Sequence, residues 1–298
     1  MKKMFMAVIA LMMTISASAQ FYIYCSDGYV IKVDSISMVA PSSIGTFSVS
    51  ADKQVTFSQG NLQYTQSTNT WSFASAQWEV IGTDNVTGGS VYSDRYGYYR
   101  DGDALADKVD LFGWSTSATN FGVSASTSNS DYSGSFVDWG TNKIGNDAPN
   151  TWRTLTYNEW EYLLNYRPNA SSLRGVAHVN GVNGLILLPD SWTSSGVTFK
   201  SGFHKSNDYY ATYYYADYQT FTAAEWSKLE AAGAVFLPAA GDRGGSSVYD
   251  VQGSGNYWSA TESSGDGANG LRFHSDEARM SNGNRTAGRS VRLVKDLQ

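Results

Sequence analysis

At 298 residues the chain can form one large domain or two ordinary ones and bury a substantial core. Charged residues are 16% of it, against about a quarter in most globular chains, while Tyr and Trp, which suit half-buried sheets and contact surfaces, are abundant. A net charge of −6 without a basic stripe excludes a nucleic-acid binder that works by neutralising phosphates.

Lys2 and Lys3 precede an apolar run over 4–15, and then come Ser16, Ala17, Ser18 and Ala19. This order predicts a secretory signal over 1–19 and an exported protein in the periplasm, on the cell surface or in the medium. The run is too short to span a bilayer, and no transmembrane segment is expected after cleavage. Gln20 stands where a lipid-anchored protein carries Cys, so an anchor is not expected. Cys25 is the single cysteine and cannot make an intrachain disulfide. We assign it no chemistry, and the core alone must hold the fold.

Residues 20–45 read as an N-terminal hairpin and linker. Apolar alternation on either side of Asp27-Gly28 predicts the hairpin, and Pro41 with its serines predicts the boundary. The main domain is expected over 46–298. Its alternating pairs Val55/Phe57, Leu62/Tyr64 and Trp71/Phe73 predict strands, and Trp78, Val80 and Ile81 suggest another. Residues 82–138 are rich in Gly, Ser, Asn and Asp and read as long loops with short ordered pieces. Tyr92, Tyr96, Tyr98, Tyr99, Tyr132 and Trp139 argue that much of this region packs.

Two helices are predicted. Thr156 with Glu159 and Thr222 with Glu225 are T-x-x-E capping boxes. Trp160, Leu163 and Leu164 share one face of the first helix; Trp226 and Leu229 share one face of the second. Both Trp residues are expected in the core. Pro168 and Gly233 are the stop signals. A strand is expected near 184–188. The run of Tyr209, Tyr210, Tyr213, Tyr214, Tyr215 and Tyr218 is a secondary contact region if exposed and loop packing if buried.

The tail, 236–294, alternates short apolar pairs with Gly, Ser, Asn, Asp and Arg. Leu271/Phe273 and Val291/Leu293 have the period of a strand with one buried face. Arg272, His274, Arg279, Ser281 and Arg292 are expected to face outward, and Asn282-Gly283 to form a hairpin turn. A small antiparallel sheet with a polar outer face follows. Its candidate ligand-binding residues are Asp242, Tyr249, Tyr257, Thr261, Glu262, Asp266, Asn269, Arg272, His274, Arg279, Asn284, Arg285 and Thr286. Tyr and Arg dominate interface hot spots, and Asn and Thr supply adaptable hydrogen bonds.

Catalytic, cofactor and metal signals are missing. His178, His204 and His274 lack metal-ligand spacing. Residues 241–245 do not open a helix and lack the Lys of a phosphate loop. No EF-hand spacing and no serine elbow is present. No catalytic residue, cofactor or metal is expected.

Arg153-Thr154-Leu155-Thr156-Tyr157-Asn158-Glu159-Trp160-Glu161-Tyr162 resembles the R-L-P-T-x-x-E-W-E-Y helix of the formylglycine-generating enzyme (sulfatase-modifying factor) family. That family has a variant of the C-type lectin fold. Gly255-Asn256-Tyr257-Trp258-Ser259-Ala260-Thr261 and Ser290-Val291-Arg292-Leu293-Val294 resemble the terminal strands of the same superfamily, over a likeness spanning 55–296. They look closest to exported bacterial major paralogous domains and to variable proteins of diversity-generating retroelements. The resemblance implies an α+β, C-type-lectin-like fold, with two helices, short antiparallel strands and long loops. The enzymes use a C-terminal cysteine pair, and this chain has no cysteine after Cys25, so the likeness implies the scaffold without that catalysis. From the retroelement likeness follows a fixed scaffold with a changeable surface, read against a protein or carbohydrate on a cell or phage. Two alternatives stand beside it: an enzyme on this fold with a non-thiol mechanism, and a structural cell-surface component.

Overall fold

The structure is a computed structural model that describes residues 21–24, 30–33, 45–204, 215 and 217–297. The expectations for the signal segment, Cys25, the linker serines, Tyr209, Tyr210, Tyr213 and Tyr214 lie outside the described residues. The chain divides into two units, 1–40 and 41–298. In the first, strands Phe21–Tyr24 and Val30–Val33 pair antiparallel, with Phe21 opposite Val33.

The second unit is α+β, mostly short strands with two helices. Helix α1 (Tyr157–Glu161) and helix α2 (Ala223–Ala231) both open on complete capping boxes. In each, the Thr oxygen accepts from the Glu amide and the Glu carboxylate reaches back to the Thr amide. A single π turn, Tyr162–Tyr166, prolongs α1 until Arg167 turns extended, as the residue before Pro168 must. Gly233, at φ 92°, ends the chain's path out of α2.

Of the four cores among the described residues, three involve the helices and the C-terminal sheet. Trp160, Leu163 and Leu164 pack with Phe57, Tyr257, Leu271 and Phe273. Trp258 and Ala268 pack with Leu62, Phe112, Trp114 and Trp139. Trp226 and Leu229 pack with Ile186 and Phe236. Trp160 and Trp226 are fully buried, as their helical spacing predicts; truncating either removes about 3–5 kcal/mol.

One four-stranded sheet joins distant parts of the chain. Strand Leu293–Asp296 lies between Gln54–Phe57 and Arg153–Thr154, with Phe47–Ser48 outermost. Asp296 and Glu159 both clasp Arg153, at 2.7 and 2.8 Å. A second sheet orders Thr220–Phe221, Arg174–Val179, Val182–Leu187 and Val235–Pro238. A third orders Asp242–Gly244, Ser247–Val251, Gly97–Asp101 and Val91–Asp94. The C-terminal sheet has three strands, Gly255–Glu262, Gly267–Phe273 and Ala278–Asn284.

The tail is therefore not one sheet. Its strands enter four sheets, because each apolar pair finds its partner elsewhere in the chain. Both faces of the C-terminal sheet are largely covered: Leu271 and Phe273 meet the first core, Trp258 and Ala268 the second. Arg292, expected outside, is 1% exposed. It donates to Gln77 Oε1 at 2.7 Å and to Asn61 Oδ1 at 3.4 Å. Asn282 and Gly283 are mid-strand, opposite Asn269 and Ala268. Gly283 is needed because a Cβ there would collide with the Arg289 guanidinium. The hairpin turns instead at 274–277, where the His274 amide donates to the Glu277 carbonyl. Trp78, Val80 and Ile81 form no strand; Trp78 and Val80 pack against neighbouring cores. Residues 82–138 contain a true hairpin, Val91–Asp94 with Gly97–Asp101.

Candidate functional site

The thirteen candidate residues fall into three settings. Tyr257, His274 and Arg285 are interior, 0%, 8% and 9% exposed, which corrects their expected outward placement. The Tyr257 hydroxyl donates to the Pro238 carbonyl at 2.8 Å and accepts from Asn61 at 3.1 Å. Its amphipathic ring serves as core with a satisfied tip. Burial, then the neighbouring Arg272 charge, pushes the His274 pKa down. The Arg285 guanidinium donates to the carbonyls of Gly267, Gly134 and Tyr132 and to Glu262. It lies 4.5 Å over Trp114.

A second set ties the far end of the C-terminal sheet to its surroundings. Thr261 accepts from the Tyr157 amide at 3.0 Å, serving the first turn of α1. Asp266 accepts from Asn129, Asn269 donates to the Glu262 carbonyl, and Asn284 accepts from the Thr286 amide. Asn269 has the strand parity of Leu271 and faces away from Arg272, so these residues do not share one face with the third set.

Asp242, Tyr249, Arg272 and Arg279 form that third set, at the near end. Asn256, Arg272 and Arg279 are directly opposite one another across the three strands. Two arginines opposed in register repel, a cost sheets ordinarily avoid. Arg279 pairs with Glu277 at 2.8 Å. A third arginine, Arg289, lies close by. Its backbone exchanges hydrogen bonds with Phe112, and its guanidinium lies 4.4 Å over Trp258. Gly270 and Gly283 leave the space it occupies.

Arg289 is 7% exposed, yet its guanidinium makes no hydrogen bond among the described residues. Arg272 Nε is likewise buried without a partner. The other interior arginines differ. Arg243 donates to the carbonyls of Leu111, Gly245 and Ser124, and Arg292 to the side chains already named. Burial pulls the Arg289 pKa down to about 10, with Asp242 opposing and Arg272 adding. The bridge between Arg243 and Gly288 places Asp242 alongside Arg289. Burial and then Asp250 push the Asp242 carboxyl up to about 6, against the pull of Arg289 and Arg272. The acid beside the arginines is thus itself reluctant to ionise.

From Asp242 an aromatic row crosses the third sheet. Asp242 is opposite Tyr249, and Tyr92 is opposite Tyr99. The Tyr99 and Tyr249 rings are 6.3 Å apart at 65°; Tyr92 and Tyr99 stack at 5.3 Å and 8°. Asp94 and Asp101 share that face by strand parity. Burial first, then Asp250 and Asp94, raises the Tyr99 phenol pKa. Tyr92 is 47% exposed, at the sheet's outer edge. This hairpin is absent from the sequence reading. Its signals are two β-rich runs, 91–93 and 98–100, around Asp94-Arg95-Tyr96-Gly97. There Asp94 accepts from the Tyr96 amide and Gly97 takes φ 139°. Arg289 was also missed; the close spacing of Arg285, Arg289 and Arg292 is the signal that marks it.

Other features gather less chemistry. Tyr215 is fully buried and donates to the Gly253 carbonyl, and Tyr218 donates to that of Ser201. An open cleft lined by Leu188, Trp192, Val197, Thr198 and Phe199 contains no charged side chain. Among the described residues no group of three His, Cys, Asp or Glu is placed to hold a metal ion. None of the described helices is long and apolar enough to cross a membrane. Comparison with family models, with curated proteins and with solved structures finds no significant match to this chain.

Proposed function

We propose that this chain is an exported recognition protein on a C-type-lectin-like scaffold, without catalysis of its own. It contacts a protein or carbohydrate ligand through a platform of Tyr92, Tyr249, Asp242, Arg272, Arg279 and Arg289. The observation that carries this reading is the arginine row. Arg272 and Arg279 oppose each other in register, beside a buried Arg289 that has no hydrogen-bond acceptor. Such an arrangement costs stability and suits a surface completed by a ligand. The exposed tyrosine row next to it supplies amphipathic contact area.

The test is an array of glycans and peptides probed with the full chain and with the double variant Tyr92→Ala, Arg279→Gln. A ligand that the wild type binds and the variant loses is the expected result. Ligands bound equally by both would overturn the reading. The retroelement likeness adds a genetic expectation. In a population of source cells, codon variation falls on Asp242, Arg272, Arg279 and Asn284 and spares the interior Tyr257 and Arg285. Invariant codons and no template copy nearby refute diversification and leave a fixed-specificity binder.

A further inference from the structure

Resting on that recognition reading, we propose that the platform takes an acidic saccharide. The carboxylate of one sugar is held by Arg272 and Arg289, and a sugar farther along the oligosaccharide lies on Tyr92. Three observations lead there. The first is an excess of cationic donors. Arg272 and Arg279 are opposed in register, Arg289 lies near Arg272, Glu277 pairs with Arg279, and Arg289 stands nine-tenths buried with donors unmet among the described residues. A buried guanidinium without acceptors is costly, and a planar oxyanion is its natural complement.

The second is rigidity. Trp258 beneath Arg289, the glycines beside it and the Phe112 backbone pairing hold the guanidinium in place before any ligand arrives. A preorganised donor loses little freedom on binding.

The third observation selects the class. Beyond Asp242 the surface offers a flat, half-exposed Tyr92 ring stacked on Tyr99, flanked by Asp94 and Asp101. Sugar hydroxyls donate to carboxylates, and a sugar's C–H face lies well on an aromatic ring. An acidic peptide carrying several carboxylates would press like charges against these aspartates, which is unfavourable. One acidic sugar at the arginines, with neutral sugars beyond it, matches the order of arginines, acid and aromatic rings.

Calorimetry at fixed ionic strength, on the full chain, tests this. The probes are galacturonate, glucuronate and sialic-acid oligosaccharides, each with its neutral methyl ester, and a glutamate-rich peptide. At least one acidic saccharide should bind, with its ester about ten- to a hundredfold weaker, the worth of one or two charge-assisted hydrogen bonds. Arg289→Gln and, separately, Arg272→Gln should bring acid down to the level of ester. Tyr92→Ala should weaken acid and ester by the same factor. The Arg272 variant serves if the interior Arg289 variant does not fold. Equal binding of acid and ester removes the carboxylate contact and leaves recognition standing. Peptide binding as tight as the best saccharide overturns the class. If no acidic saccharide binds while an array ligand still depends on Arg279 and Tyr92, this inference fails and the recognition reading survives. If neither is found, both fall.

Discussion

Arg285 and Arg289 lie against the same small sheet, similarly buried and each over a tryptophan, at 4.5 and 4.4 Å. Arg285 meets three backbone carbonyls and Glu262. Arg289 meets none. Burial alone therefore does not make the two cations alike; what distinguishes them is whether the surroundings provide acceptors. The far end of the sheet is closed by its own hydrogen bonds. The near end has surplus donors and faces the tyrosine row.

The largest expected effect breaks the comparison if it fails. Arg285→Met strands several carbonyls and should cost about 3 kcal/mol in urea unfolding. Arg289→Met removes a buried guanidinium that makes no hydrogen bond among the described residues, at the loss of its attraction to Asp242, and should be neutral, or stabilising by up to about 2 kcal/mol. Equal losses at the two sites would end the distinction.

Asp110 extends the contrast to acids. It is fully buried, accepts from the Ile81 amide, and leaves one carboxylate oxygen without a partner. Burial raises its pKa to about 6, above the model-peptide 3.8. The folded state thus favours the protonated form. Stability is greatest below the unfolded pKa and falls as pH rises from about 4 to 6, by up to about 3 kcal/mol in all. Thermal melts should show Asp110→Asn removing this decline and raising Tm at pH 7. An unchanged pH profile would refute the assignment.

Gly283→Ala should cost about 1–3 kcal/mol through its clash with Arg289. In an Arg289→Ala background most of that cost should vanish, and a double-mutant cycle measures the coupling. Additive costs would mean that Gly283 serves some other need. The smallest effect belongs to Arg279→Gln, whose exposed pair with Glu277 is worth about 0–1 kcal/mol. Its stability should scarcely move while ligand binding falls.

What the sequence revealed was what is local. Both capping boxes and their tryptophans were legible because a helix start is written within four residues. The alternating pairs Val55/Phe57, Leu62/Tyr64 and Trp71/Phe73 became strands for the same reason. The α+β class followed from those elements. The candidate site was legible only in part. Asn282-Gly283 has the letters of a turn, but Gly283 answers to Arg289, a tertiary neighbour. Tyr257 carries a polar tip that reads as surface until Asn61, from far along the chain, is seen to meet it. Arg243, Arg285, Arg289 and Arg292 are alike as letters, and only packing separates the one without acceptors. Tyr92 and Tyr99 were hidden in a stretch whose polarity reads as loop, because strand signals there last only four or five residues.

The placement of Leu293–Asp296 has a consequence in time. Gln54–Phe57 and Arg153–Thr154 do not pair with each other; each pairs with that late strand. As the chain is made, two early segments of this sheet must wait for residues near its end before the sheet exists. Contacts that join such distant residues form slowly and late. A sheet built this way closes only when its late strand slides into the gap between the two early ones.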